Sequence, residues 1–332
     1  MTGSAAEYLG VYLQPLVNAL ERPDVSDVYI NKPGEIWIET LGGSIERSAV
    51  PELTDAHLQR LARQVANISH QGINRERPLL AARLPDGSRI QIVAPPATRG
   101  PMALAIRKHV SADLSLADYR QAGAFDETKR AAFDDPAAEL LKRHYEASEW
   151  HDFLGAAVLA RKTIVVSGGT STGKTTFLNA LLREIVEDER LILIEDTPEL
   201  VLRHENAIGL VAVRGDQGEA QVSTDDLLVA SLRMRPDRII VGELRGGEAL
   251  TFLKAANTGH PGSMTTIHAD SPDRAIDQMT LLILQSSKGL HRADVIAYIE
   301  QTVDIVVQLE RASGKRRVAQ VKWMQGARSA LS

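Results

Sequence analysis

The eight residues GGTSTGKT, from Gly168 to Thr175, decide how the second half of the chain folds. They fit the pattern GxxxxGK[ST], follow an apolar strand candidate and open a helix candidate, which is the context that a phosphate-binding loop requires. Glycines let the backbone curl so that successive N–H groups point at a phosphate, and the helix N-terminus adds about half a positive charge. Lys174 then reaches the β- and γ-phosphates, and the Thr175 hydroxyl can ligate Mg²⁺. A glycine-rich turn without a ligand needs neither the lysine nor the hydroxyl, so the sequence predicts a nucleotide site.

Strands and helices alternate from Thr163 onward, which predicts a largely parallel sheet with covering helices. Runs such as IVV, LILI and IIV are apolar on both faces, as in buried strands. The strand candidates are TIVVSG (163–168), RLILIED (190–196), AIGLVAV (207–213), RIIVGEL (238–244), SMTTIHA (263–269), VDIVVQLE (303–310) and RVAQVKWM (317–324). The helix candidates are residues 175–187, 224–234, 248–257 and 272–285.

Two of these strands end in carboxylates: RLILIED in Glu195 and Asp196, and RIIVGEL in Glu243. Ligands of open α/β sheets bind beside the carboxyl ends of the strands, so these acids can meet the phosphate loop. One can hold Mg²⁺ through water, and another can orient or deprotonate the attacking water. Gly242 stands where a Mg²⁺-binding Asp is usual, so the metal role can fall to Glu195 or Asp196. A single such acid is better interpreted as a solvated strand end, whereas two after a phosphate loop favour catalysis.

Histidines and arginines supply further candidates. His268 ends SMTTIHA near the same sheet edge, where it can hydrogen-bond a γ-phosphate, while His260 is as well explained by a structural role. Arg107, in the first half of the chain, is a candidate from another domain. Most arginines pair with acids or face solvent, but one or two at a subunit boundary can stabilise transition-state charge. The residues between which the sequence does not choose are Arg233, Arg235, Arg238 and Arg245.

The first half of the chain is predicted to be α+β. A helix is expected over 7–20, a hairpin over 25–30 and 35–40, and a helix over 53–68 with Thr54 as N-cap. A second hairpin pairs 79–84 with 88–94, and 103–110 forms a further strand. A polar connector with its own helix, 136–150, follows. The predicted domains are therefore 1–110, a linker over 111–155, and 156–332.

The composition limits the function classes. The chain has 332 residues, a net charge of -5, 4% aromatic residues and no cysteine. Disulfides and thiolate zinc sites are excluded, and nothing resembles a strongly basic nucleic-acid binder. The N-terminus lacks a signal-peptide pattern, and the longest apolar run, Phe153 to Ala160, is far shorter than the roughly 20 residues of a membrane span. A cytoplasmic protein is expected, with peripheral membrane contact left open.

Together these segments resemble the traffic ATPases of bacterial secretion, and most of all the VirB-eleven class of type IV secretion and conjugation systems. The matching stretches of the second half are GGTSTGKTT (the Walker A box), LILIEDTPEL (the Asp box), LRMRPDRIIVGELRGGEA (the Walker B box) and TGHPGSMTTIHA (the His box), in the family's order. In the first half, INKPGEIWIE, SRIQIVAPPA and AIRK are similar to the family's N-terminal domain. The resemblance covers nearly the whole chain.

The resemblance implies an α/β fold, with an N-terminal α+β (PAS-like) domain and a C-terminal RecA-like P-loop ATPase domain whose sheet is mostly parallel. It implies ATP and Mg²⁺ as cofactors. It also implies a homohexamer, peripheral at the cytoplasmic face of the inner membrane, with channel components and a coupling ATPase as partners. Hydrolysis would power pilus assembly or substrate translocation.

Carried over to this chain, the resemblance assigns phosphate and Mg²⁺ binding to Lys174 and Thr175, an acidic pair to Glu195 and Glu243, and a sensor role to His268. Glu195 joins Thr175 as a metal candidate, and Arg107 corresponds to an N-domain arginine near the phosphates. The Walker A residues that would bind nucleotide are Gly168, Gly169, Thr170, Ser171, Thr172, Gly173, Lys174, Thr175 and Thr176.

Other functions stay open at this point. An ATPase of a related pilus or tight-adherence system differs only by degree, whereas type II secretion ATPases carry a tetracysteine module that this chain lacks. A RecA-like nucleic-acid translocase needs a basic channel and stacking aromatics, which the acidic and aromatic-poor composition disfavours. A nucleotide switch without hydrolysis draws support from the missing Walker B Asp. The sequence does not settle direct nucleic-acid contact.

Overall fold

The first of two β-sheets lies in the N-terminal half of the chain. The computed structural model describes residues 5–109, 115–128, 137–213 and 218–324. Six antiparallel strands form this sheet in the order β3-β2-β1-β6-β5-β4. They are β1 (Val25–Ile30), β2 (Glu35–Thr40), β3 (Ile45–Ala49), β4 (Leu79–Arg83), β5 (Arg89–Val93) and β6 (Ala103–Arg107). Both predicted hairpins are confirmed.

Helices cover one face of this sheet. They are α1 (Ala5–Leu13), a 3-10 turn (Gln14–Leu16), α2 (Val17–Leu20) and α3 (Asp55–Ile68). The apolar stripe of α3, which includes Leu58, Leu61 and Val65, is buried against the sheet. The Thr54 side chain accepts a hydrogen bond from the His57 N–H at 3.2 Å, so the predicted N-cap is confirmed. The strand β3 was not predicted, because its half-exposed sequence IERSA has no apolar alternation and forms only by pairing with β2.

In the described parts of the connector, residues 115–128 and 137 onward, the helices are α4 (Leu116–Gln121), α5 (Ala138–Glu146) and α6 (Trp150–Leu159). The predicted helix over 136–150 is confirmed from Ala138 to Glu146, but its predicted C-terminal end is wrong, since α5 ends at Glu146 and Ser148 adopts a positive φ of 57°. Its predicted first residue lies outside the described residues. The break lets Tyr145 and Phe153 pack with ring centroids 5.3 Å apart. The predicted domain limits stay predictions.

Seven strands form the second sheet, in the order β13-β12-β7-β11-β10-β8-β9. They are β7 (Ile164–Gly168), β8 (Leu191–Glu195), β9 (Ala207–Val211), β10 (Arg238–Val241), β11 (Met264–Ile267), β12 (Ile305–Ala312) and β13 (Lys315–Trp323). All neighbours are parallel except β12 and β13. The flanking helices are α7 (Lys174–Leu181), α8 (Thr224–Ser231), α9 (Glu248–Asn257), α10 (Pro272–Ser286) and the unpredicted α11 (Arg292–Thr302). The predicted α/β class, with an antiparallel first sheet and a mostly parallel second one, is confirmed.

This topology collects the motif residues. Because β7, β11, β10 and β8 are parallel neighbours, their carboxyl ends lie along one edge of the sheet. The phosphate loop follows β7, Glu195 ends β8, Glu243 follows β10 and His268 follows β11. The fold therefore gathers at one edge residues that lie far apart in the chain.

The two halves of the chain pack against each other at β9. The Val211 N–H donates to the Ala97 carbonyl, and the Arg99 N–H donates to the Gly209 carbonyl, both at 2.9 Å. Side chains of the first sheet, among them Tyr29, share one apolar core with residues of the second. Helices in the described ranges are all too short or too polar to cross a bilayer.

Candidate functional site

A cavity of about 450 Å³ lies over the phosphate loop. Gly173 is the N-cap of α7 at a φ of 93°, a conformation that a side chain would strain, and the helix N-terminus that begins there favours a bound anion. The loop residues that line the cavity run from Thr170 to Thr176. The other lining residues are Glu195, Asp196, Thr197, Glu199, Gly242, Glu243, Arg245, Thr266, His268 and Arg316.

Lys174 lies at the centre of the site. Its Nζ donates to the carbonyls of Gly168 and Gly169 at 3.0 and 3.4 Å, and it lies 3.3 Å from His268 Nε2. Glu243 Oε1 is 4.0 Å from the same nitrogen. Burial lowers the pKa of Lys174, while the carboxylate of Glu243 favours its charged form. Gly168 and Gly169 thus contact Lys174 through their carbonyls, but they are not among the residues that line the cavity.

Glu243 is surrounded by donors. Its Oε1 lies 2.9 Å from His268 Nε2, and Arg245 forms an ion pair with its other oxygen. Arg245 also lies 3.6 Å from Asp196 Oδ2, so it spans the acids that follow two neighbouring strands. The structure therefore brings together Lys174, Glu243 and His268 as the sequence predicts, and it selects Arg245 among the four arginine candidates for this cavity.

Glu195 lines the cavity, but both oxygens of its carboxylate already have partners within the chain. Its side chain is only 3% exposed. Oε1 accepts the N–H groups of Glu199 and Leu200, both at 2.9 Å, and Oε2 pairs with Arg99. The carboxylate thus organises the segment 195–200, and its metal and catalytic roles stay predictions.

A steric constraint explains why a glycine stands at position 242. A Cβ at this position would lie 2.8 Å from Glu195 Cγ, closer than real Cβ contacts allow. Its carbonyl accepts a hydrogen bond from the Thr266 hydroxyl at 2.7 Å. An aspartate at position 242 and the observed placement of Glu195 therefore exclude each other.

Arg316 is the main residue of the cavity that the sequence reasoning missed. It comes from β13, and its Cδ lies 3.1 Å from where a Cβ of Gly173 would stand. The guanidinium thus lies beside the N-terminus of α7. The only signal in the sequence is the run of three basic residues in the hairpin GKRR, which does not reveal that the hairpin lies near the phosphate loop.

Arg107 lies elsewhere. It lines a second cavity, of about 510 Å³, together with Arg83, Arg89, Arg233 and Arg235. Within one chain the structure therefore does not bring Arg107 to the phosphate loop, and its role at the nucleotide stays a prediction.

Two remaining candidates have structural roles. Arg238 is fully buried and donates two hydrogen bonds to Glu189, at 2.6 and 2.7 Å. His260 Nδ1 lies 2.7 Å from the Pro236 carbonyl, and burial lowers the pKa of its imidazole, which favours the neutral ring.

Comparison with known proteins gives concordant results. The family described as "Type II/IV secretion system protein" matches residues 12–329. The type IV secretion system protein VirB11 of Bartonella henselae is 37% identical over 93% of this chain and 91% of its own length. The type IV secretion system protein PtlH of Bordetella pertussis is 39% identical over 95% of both chains. The crystal structure of the VirB11 ATPase from the Brucella suis type IV secretion system, in complex with sulphate, superposes with a TM-score of 0.93. It shares 36% identity and covers 98% of this chain and 97% of that one.

Proposed function

The chain belongs to the type II/IV secretion system protein family, and on that premise we propose that it hydrolyses MgATP in a hexameric ring to drive a type IV secretion system. It is a P-loop ATPase of this family, as the sequence resemblance implies. Curated relatives from type IV secretion systems cover almost the whole chain, which favours this system over related pilus machines. Pilus assembly and substrate translocation are the two forms of work that we assign to it.

The observation that carries the proposal is the arrangement of charges around one cavity. Lys174, Arg245 and Arg316 line it as cations beside the N-terminus of α7, which suits a polyphosphate. Glu243 lies among them with His268 at 2.9 Å, where a carboxylate can orient or deprotonate a water. Cations for charge stabilisation and one acid for the nucleophile are the parts that phosphoryl transfer to water needs.

The donors in this cavity fit Mg²⁺. The metal prefers hard oxygen ligands and keeps part of its water and phosphate shell. Thr175, Asp196 and Glu199 line this cavity, and Glu195 lines it as well. In this proposal Thr175 and one of these acids hold the metal, which neutralises charge on the phosphates.

In a ring of identical copies, Arg107 of one copy would contact the nucleotide bound to its neighbour. Arg83, Arg89 and Arg107 are opposite one another across β4, β5 and β6, and like charges in such positions repel. We assign this row to the phosphates of the neighbouring copy, because an anion there offsets the repulsion. A head-to-tail interface of this kind closes into a ring. The ring would lie at the cytoplasmic face of the inner membrane, in contact with channel components and a coupling ATPase.

The test combines two inactive variants. Steady-state phosphate release is measured with Mg²⁺ and ATP for the wild type, Lys174→Ala, Arg107→Ala and an equimolar mixture of the two variants. Of the three unmixed proteins, we expect only the wild type to release phosphate. The mixture of the two variants should recover about a quarter of the wild-type rate, since random head-to-tail neighbours restore one site in about four. Lys174→Ala mixed with Glu243→Gln is the control. Both of its defects lie in the same copy's site, so no recovery is expected.

Two outcomes refute the proposal. A wild type that releases no phosphate overturns hydrolysis itself. A mixture that stays inactive, while light scattering shows an oligomer, overturns the contribution of Arg107 to its neighbour's site.

A further inference from the structure

The segment 97–99, between β5 and β6, ties the first half of the chain to the edge of the second sheet. Thr98 forms an antiparallel bridge with Leu210 of β9, flanked by the backbone hydrogen bonds of Ala97 and Arg99 described above. The segment therefore extends the ATPase sheet by one short strand and fixes the Arg99 backbone.

The Arg99 side chain then crosses β9. A Cβ on Gly209 would lie 2.5 Å from Arg99 Cδ, so only glycine leaves room for the crossing. The Arg99 side chain is 15% exposed, and burial lowers the pKa of Arg99. A buried cation needs a partner, and it finds the carboxylate of Glu195 at the end of β8.

Arg99 and Glu195 together fix the backbone of Leu200. The Leu200 carbonyl accepts from Arg99 Nη1 at 2.6 Å, and its N–H donates to Glu195 Oε1 at 2.9 Å. The Glu199 N–H makes the same contact with this carboxylate oxygen. Both ends of the segment 195–200 are thus held by one ion pair.

Beyond Glu195 itself, this segment carries three residues of the nucleotide cavity. Asp196, Thr197 and Glu199 line the cavity beside the phosphate loop. Their positions depend on the turn that Glu195 and Arg99 stabilise. Arg99 itself does not line the cavity, so it acts on the site only through this segment.

We propose that Arg99 is a positioning residue of the nucleotide site. Through Arg99, the N-terminal domain fixes the positions of the acidic side chains that bind the Mg²⁺ of the nucleotide. When the N-terminal domain is docked on β9, Arg99 holds Glu195 and the segment 195–200 in place. When that domain moves away, Glu195 loses its partner and the segment relaxes. The inference rests on the proposed function, because it deepens the role of the same cavity.

The experiment separates metal-dependent from metal-independent binding. Dissociation constants of a fluorescent ADP analogue are measured by titration with Mg²⁺ and with EDTA, and the half-saturating Mg²⁺ concentration is measured for ATP hydrolysis. The variants are Arg99→Met and Gly209→Ala, the second of which displaces the arginine without removing it. Arg47→Met is the matched control, since Arg47 joins the two halves through Glu205 at 2.7 Å, away from the cavity.

We expect Arg99→Met and Gly209→Ala to raise the half-saturating Mg²⁺ concentration by about 10–100-fold, as for other partners of ligand carboxylates. Binding in EDTA should change less than about twofold, because the loop amides and Lys174 are untouched. Arg47→Met should leave both quantities near the wild type.

Two results overturn the proposal: folded Arg99→Met and Gly209→Ala variants with wild-type Mg²⁺ dependence, or the same loss in Arg47→Met. If Arg99→Met fails to fold, Gly209→Ala and Arg99→Lys decide, with a shift in either supporting the proposal and no shift refuting it. Failure of the proposed function has a different signature. The wild type then binds MgADP without releasing phosphate, and the binding titration still tests Arg99.

Discussion

Replacement of Glu243 by glutamine tests the central assignment of the site. The carboxylate has three partners: His268 at 2.9 Å, Lys174 at 4.0 Å and the paired Arg245. The variant keeps the shape of the side chain and removes both its charge and its capacity to take a proton. It should therefore weaken catalysis without weakening nucleotide binding.

The magnitude follows from these contacts. General-base assistance is worth about 10²–10⁴ in rate, so kcat should fall by that factor, or by about 3–5 kcal/mol of transition-state stabilisation. At 4 Å, and at the effective dielectric of a partly buried site, one charge pair is worth about 4 kcal/mol before desolvation. The neutral amide of the variant leaves the charge of Lys174 uncompensated and available to the phosphates. The dissociation constant for MgATP should therefore stay the same or decrease.

Two measurements suffice. Steady-state phosphate release gives kcat, and calorimetric titration gives the dissociation constant of MgATP. Glu310→Gln is a matched control, since Glu310 pairs with Arg317 on the exposed hairpin and lies outside the cavity. Wild-type turnover by Glu243→Gln would refute the assignment. Equal losses of kcat and affinity would show that Glu243 serves binding instead.

Two further predictions concern arginines. Arg316→Ala should raise KM for ATP by about 10–100-fold with little change in kcat, the effect of losing one charge-assisted hydrogen bond to a phosphate. Arg317→Ala is its control, and a KM that stays unchanged in Arg316→Ala would contradict the placement of Arg316. Arg238→Met should lower the free energy of unfolding by up to about 3–5 kcal/mol, because it leaves the buried Glu189 with only the partly exposed Arg161, at 3.3 Å, as a cationic partner. Arg274→Met breaks only the exposed pair with Asp270 and should cost at most about 1 kcal/mol in the same urea titration, so equal losses would disprove the difference.

Local patterns predicted much of the fold. The hairpin of β1 and β2, the cap at Thr54 and the apolar runs of β7, β8 and β10 each depend on neighbouring residues, so the sequence predicts them correctly. The strand β3 was missed because an exposed edge strand needs no apolar alternation. The break between α5 and α6 was missed because it depends on aromatic packing with Trp323, far along the chain.

Some residues of the candidate site are likewise predictable from local patterns, whereas others depend on tertiary packing. The phosphate-loop pattern predicts Lys174, and Glu243 and His268 are predicted because each follows a strand of a parallel sheet, whose strands share one edge. Arg316 was missed because it comes from β13, which pairs with that sheet in the antiparallel direction. The location of Arg107, apart from the phosphate loop, depends on how the two halves of the chain pack.

The sequence by itself determined the phosphate loop, the order of the strands along the chain and the acids at their ends, because each of these depends on a few adjacent residues. Only the tertiary structure decided what those acids contact. Glu195 is tied to Arg99 from the other half of the chain, and Gly242 is small because the Glu195 side chain lies against it. Contacts between distant segments depend on how packed surfaces fit together, and a local sequence pattern does not predict such contacts.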